Sequence, residues 1–260
     1  MSMQKLTKLT RDEVRLHVED GMGLKKVDLS GLFLEGIDFT DSDFRGSVFN
    51  LTQFENCVFH SVNLVNVDFT RANFIKCEMA EVSFENVHAT GAIFSECELS
   101  EARFIRANLE MASIIRSNCR GMIFTGANLR HAFLDGNDHT AGDFSKALLA
   151  LATIKNCEIK SAKFVGADLN CATLAGLDLT GSDFSQSRLI ATSFAHAVLK
   201  GCVFRKAMLI GTMLAGVDQN QADFKRAFVD SVVTEEEEPE EAADEKSVRK
   251  EEKETKAPPK

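Results

Sequence analysis

The sequence predicts a single long repeat solenoid, and three observations predict it. Stepping by five from Leu29 to Val229 gives 41 positions without an insertion or deletion, and 37 of them are Leu, Ile, Val, Met or Phe. The exceptions are Ala89, Cys119, His139 and Gln219. Of the 20 Phe residues, 17 fall on this register. The residue two places before each of these central positions is nearly always small, as Ala167, Ala172 and Ser182 illustrate. A helix repeats its faces every 3.6 residues and a strand every two, so neither element alone explains a period of five. Self-similarity at a fixed period is the mark of a repeat architecture.

The tripeptides ADL at 167–169, ANL at 107–109 and 127–129, and ANF at 72–74 resemble the pentapeptide-repeat family. The resemblance covers about four fifths of the chain. It implies an all-β fold, a right-handed four-sided β-helix in which each side is one pentapeptide and four sides make a coil. The central and small residues then point inward and the other three outward. Stacked residues should therefore match at a spacing of twenty, and they do. One central column reads Phe44, Leu64, Phe84, Phe104, Phe124, Phe144, Phe164, Phe184, Phe204, Phe224. The next side reads Leu from 109 to 209, and a third carries Cys57, Cys77, Cys97 and Cys157 at the small position. Like residues fill like slots because neighbouring rungs lie about 4.8 Å apart, so ten coils give a rod roughly 50 Å long.

The ends follow from local signals. In residues 1–24, Thr10 and Glu13 form a capping box, Leu9 and Val14 occupy the staple positions, and Gly21 is a stop. The spacing predicts a short helix over 11–20 that caps the first coil. The β-helix is expected over 25–233, with Val232 and Val233 covering its far end or joining two copies there, so the chain is expected to be a monomer or a homodimer. Residues 234–260 are almost free of apolar side chains and are expected to be a disordered charged tail.

Composition excludes several classes. The net charge is −9, but from Asp230 onward there are 12 acids against 6 bases, so the repeat body is close to neutral. No run of eighteen apolar residues exists, and no membrane span is expected. The first residues lack an apolar secretory core. Seven cysteines without a CxxC pair favour a reducing, cytoplasmic setting. Nucleophile-elbow, phosphate-loop, zinc-helix and dinucleotide motifs are missing, so no enzyme activity, cofactor or metal is expected.

Three sets of side chains remain. Ser117, Cys119, Asn137 and His139 fall on inward positions of two successive coils, where polar groups need partners. A closed hydrogen-bonded patch or local bulge is the expectation. On the outside, Asp38, Glu78, Glu98, Asp138, Glu158, Asp178 and Asp218 make an acidic column. The Phe side gathers bases toward its C-terminal half, among them Lys163, Arg205, Lys206, Lys225 and Arg226. Without interleaved exposed aromatics, single-stranded nucleic acid is not an expected ligand. Leu148, Leu151, Ile190, Met208, Ile210 and Met213 fall on outward positions near one edge, and an exposed apolar patch usually marks an interface.

Two functions are expected from this. The first is a non-enzymatic protein-interaction module, a rigid rod that shows its apolar edge to a partner protein. The opening LTRDEV and DGMGLKKVDLSGLFLEG are similar to the lead-in of pentapeptide segments in bacterial type VI secretion accessory proteins. The second comes from the family resemblance, since some members imitate B-form DNA, bind DNA gyrase and protect it from quinolones. The acidic column fits that idea. The near-neutral body and the lack of inserted loops or an apolar C-terminal segment fit it less.

Overall fold

The computed structural model describes residues 6–235. Among them a short strand, β1 (Thr7–Lys8), leads into helix α1 (Arg11–Glu19). Thr10 caps the helix: its Oγ1 accepts from Glu13 N–H, and the Glu13 carboxylate accepts from Thr10 N–H at 2.7 Å. Leu9 and Val14 are both buried and Gly21 turns the chain at φ +64°, so the expected N-terminal cap forms. β1 pairs in parallel with β2 (Val27–Asp28), which ties the cap to the first coil. No helix among the described residues is long and apolar enough to cross a membrane.

Every later pairing is parallel and joins residue i to i+20. The column from Asp28 through Val48 and Asp68 to Phe228 has eleven rungs, close to the ten coils expected. Seven short strands, β3 (Phe33–Glu35) to β9 (Thr153–Lys155), form one sheet up the side that follows it. β10 (Met208–Ile210) and β11 (Phe228–Asp230) pair at the C-terminal end. Central residues donate up the rod, as Phe49 N–H does to Asp68 O at 2.7 Å, and the residues before them donate down, as Val48 N–H does to Val27 O.

The core is a column of side chains. From Phe84 to Phe224 the rings on one side stack with centroids 4.4–5.7 Å apart. The small inward position has a second task. Its hydroxyl or thiol donates to the carbonyl of the central residue 23 places earlier: Ser47 to Leu24, Thr52 to Leu29, Thr212 to Leu189. Cys57, Cys77, Cys97 and Cys157 do the same with sulfur, and all seven cysteines are free thiols.

Each corner is a turn. Ser42 N–H, for example, donates to Phe39 O at 2.9 Å, and residue 41 between them has φ +61°. From Lys26 to Ser231 every fifth residue takes positive φ except Gln221, and 28 of these 41 residues are not glycine. None is Val, Ile, Thr or Pro, because a β-branched side chain is the worst fit to the left-handed region and proline cannot enter it. The side chain of Leu51 is 64% exposed at φ +61° and makes little packing contribution. Leu51→Val is therefore expected to cost at least ~1 kcal/mol in urea unfolding, while Leu51→Gly gains up to ~1 kcal/mol. Equal stability of the two variants would contradict this account of the corner.

The rod ends differently from its repeat. Gln219, one of the four misfits, sits in a 3-10 turn (Gln219–Gln221) that replaces the last rung on its side, with Asp218 accepting from Asn220 N–H. At the far end Val232 packs against the core as expected, and Val233 does not. Val232 is half-buried, Val233 is exposed, and Val229, a central residue, is 54% exposed. The reason is geometric: these residues belong to the last described rung, and among the described residues no further rung lies over them. The expected tail lies outside the described residues from 236 onward.

Candidate interaction surface

The acidic column is real but partly engaged. Asp38, Glu78, Glu158 and Asp218 are exposed, and Glu98, Asp138 and Asp178 are half-buried. Bases on the next outward column meet three of the seven: Lys160 with Asp178 at 3.0 Å, Arg120 with Asp138 at 3.3 Å and His60 with Glu78 at 3.8 Å. The carboxylates also serve the backbone. Asp38, Asp138 and Asp178 each accept the N–H two residues on, at Thr40, Thr140 and Thr180. Asn118 does the same within this column, and Asn108 and Asn128 do so on another side. The Asp or Asn before the central residue is thus a turn cap first and a surface charge second. Hydrogen bonds from Thr40 and Thr180 hold the Asp38 and Asp178 carboxyls below the usual range.

The apolar edge divides in two. Met208 and Met213 are exposed and Ile190 and Ile210 are half-buried, all four on the last rungs of two adjoining sides. Met208 pairs with Phe228, and Met213 with Val233, so the patch runs onto the uncovered end. Leu148, half-buried, and Leu151, exposed, stand apart from it, because Asp168 and Arg188 occupy the rungs between Leu148 and Met208. Val229 was hidden from a reading of the repeat alone. The signal for it is that a central residue at 229 has no apolar counterpart at 249, which is Arg249.

The inward polar residues also divide. Ser117 and Asn137 form the expected closed patch. Ser117 Oγ donates to Ile115 O at 3.0 Å and accepts from Cys97 N–H, while Asn137 Oδ1 accepts from Ser117 N–H at 2.9 Å and Nδ2 donates to Ile114 O at 2.8 Å. His139 does not join it. The ring is fully buried between Phe124 and Phe144, and neither ring nitrogen has a hydrogen-bond partner. Burial pushes its pKa down to about 4 and pushes the Cys119 thiol up. Two neutral, unjoined side chains do not make an activated nucleophile pair.

Comparison with known proteins places this geometry. The chain is similar to HetL from the cyanobacterium Nostoc sp. strain PCC 7120, described as involved in heterocyst differentiation regulation (16% identity over 87% of this chain and 93% of that one, TM-score 0.40). It is also similar to QnrB1, described as a plasmid-mediated fluoroquinolone resistance protein (16% identity, 85% and 98%, TM-score 0.38). A pentapeptide repeat protein of the Arabidopsis thaliana thylakoid lumen aligns over 38% of this chain and 69% of its own at 27% identity, with a TM-score of 0.27. No curated protein matches the chain. Family models described as pentapeptide repeats match residues 24–60, 83–118, 102–136, 147–186 and 187–226, and a second such model matches 54–98. With most of its length matched and its central, small and turn positions in the same five-residue register, the chain belongs to the pentapeptide-repeat family.

Proposed function

We propose that the protein is a protein-interaction module whose partner surface is the apolar edge at the C-terminal end of the rod. One observation carries this reading: Met208, Met213, Phe228, Val229 and Val233 are all exposed on adjoining rungs of one end. Isolated exposed apolar residues are ordinary, but a contiguous group is not. The parallel ladder beneath holds it rigid, so little ordering entropy opposes binding. A cytoplasmic protein partner fits the seven free thiols. The lead-in helix and first coil direct the search to a bacterial host with a type VI secretion system.

The test is capture from such a host with three baits. Met208→Asp with Met213→Asp is expected to lose the partner at least ~10-fold while keeping the wild-type circular dichroism. Leu51→Asp with Met111→Asp, two exposed positions away from the patch, should retain it. Equal capture by all three removes the edge from the account. The second reading, gyrase binding by DNA mimicry, draws on the acidic column, where Asp38, Glu98, Glu158 and Asp218 make no ion pair among the described residues. Inhibition of gyrase supercoiling that is lost on neutralising these four carboxylates would carry that reading. No inhibition at large excess ends it.

A further inference from the structure

The apolar edge does not stand alone on its corner of the rod. Met208 and Phe228, paired in register and both exposed, are the first outward residues after that corner. Before it come Arg205 and Lys225, which follow the central Phe204 and Phe224, and then the corner residues Lys206 and Arg226 at φ +57° and +61°. These four bases line a cleft of about 340 Å³. Residues twenty apart lie on neighbouring rungs about 4.8 Å apart, so the cations stack in two like-charged pairs and repel.

One carboxylate answers them among the described residues. Asp223 Oδ2 accepts from Arg205 Nε at 2.8 Å, and Asp223 Oδ1 accepts from the Lys225 backbone N–H at 3.0 Å. Asp223 therefore holds the Arg205 guanidinium by its inner nitrogen and leaves the two terminal ones to face a second acid. Lys206, Lys225 and Arg226 pair with no acid among the described residues. The preceding rung carries Ser185 and Gln186 at these positions, both uncharged. The cleft is net positive, and it adjoins the apolar edge directly.

Shape and charge together select the ligand. Arginine forks match carboxylates, as Arg45 does here with both oxygens of Asp43. The apolar neighbours Met208, Ile210, Met213 and Val229 are aliphatic, and methionine adapts to varied shapes. Phe228 is the one aromatic among them, so aliphatic side chains fit better than a run of stacked bases. The basic and apolar groups occupy two sides that meet at a corner. A planar bilayer lying on one side leaves the other uncovered, whereas a chain segment bends round both.

We propose that the partner docks through an acidic chain segment: its carboxylates enter the Arg205–Lys206–Lys225–Arg226 cleft, and an aliphatic side chain beside them covers Met208 and Phe228. This rests on the apolar edge being the partner surface and adds the chemistry of what binds there.

The test pans random peptides displayed on phage against the full chain. The expected peptides carry net negative charge with an aliphatic residue beside the acids. Lys206→Gln with Arg226→Gln should bind them at least ~5-fold more weakly, as the loss of two exposed ion pairs implies. Binding should also weaken near 1 M salt, where the Debye length falls to about 3 Å. Met208→Ser with Phe228→Ser changes no charge and should lose at least ~10-fold. Both variants alter exposed positions, so circular dichroism should be unchanged. Selected peptides without net negative charge, or equal binding by the glutamine variant, would overturn the acidic segment and leave the edge as a partner surface. Binding lost in the glutamine variant but kept in the serine variant would overturn the edge as well. No enrichment above the bare support would overturn the proposal, and binding to phosphatidylglycerol vesicles or to a single-stranded oligonucleotide in its place would name the other class of ligand.

Discussion

Phe164→Ala is expected to destabilise the rod by ~4 kcal/mol, the upper range for a buried aromatic truncation. The ring is fully buried and lies between Phe144 and Phe184, at centroid distances of 4.9 and 4.7 Å and interplanar angles of 8° and 1°. Truncation removes both stacked faces at once, and the neighbouring rungs cannot close the gap because their backbones are fixed by the ladder. In a solenoid each coil touches only its neighbours, so the loss falls on the interfaces around one rung. Urea unfolding should then lose its single transition and show an N-terminal and a C-terminal step. Phe224→Ala is the control. That ring is half-buried and stacks on Phe204 alone, at 4.8 Å, so less than half the loss is expected. Equal losses at the two positions would show that the Phe column is not what couples the coils.

The column was legible because burial imposes chemistry on the sequence directly. A central slot between two Phe rungs accepts few residue types, and the choice repeats every twenty residues. The corners were less legible because their demand is negative. Lys, Glu, Arg, Asn, Ser and Met all occur at positive φ here, and the constraint shows only in the absence of β-branched residues and in the 13 of 16 glycines that fall on this register. Asp before the central residue was read as surface charge, since sequence shows a carboxylate but not the Thr40 or Thr180 N–H that it accepts. The apolar edge was half legible: outward register identified Met208 and Met213, while the separation of Leu148 depended on Asp168 and Arg188 in the intervening rungs. The exposure of Val229 among the described residues is a property of where their ladder ends, and no local motif records that. His139 stood out as a misfit, but whether its nitrogens had partners depended on distances across the core.

His139→Leu is expected to stabilise the protein, an unusual outcome for a fully buried position. Its column runs Leu99, Cys119, His139, Ile159, Leu179, so Leu restores the local pattern. Two buried nitrogens without partners cost the folded state their lost hydration, and removing them should gain ~2 kcal/mol at neutral pH. The gain should grow in acid, and the sign follows from linkage. The folded pKa lies near 4, below the ordinary value of 6.5, so between these values the unfolded chain binds a proton at this ring that the folded chain excludes. Wild-type stability therefore falls as pH drops from about 6.5 to 4, at up to ~1.4 kcal/mol per pH unit, and this contribution levels off below 4. The turn-capping carboxylates lose their own stabilisation at lower pH, because hydrogen bonds hold groups such as Asp38 and Asp178 below the usual range. The difference between wild type and variant isolates the ring from them. Denaturant midpoints at pH 7.5, 6, 5 and 4.5 (values chosen to bracket the window) should diverge steadily. Parallel curves would mean that the folded state binds a proton at His139 as readily as the unfolded chain does.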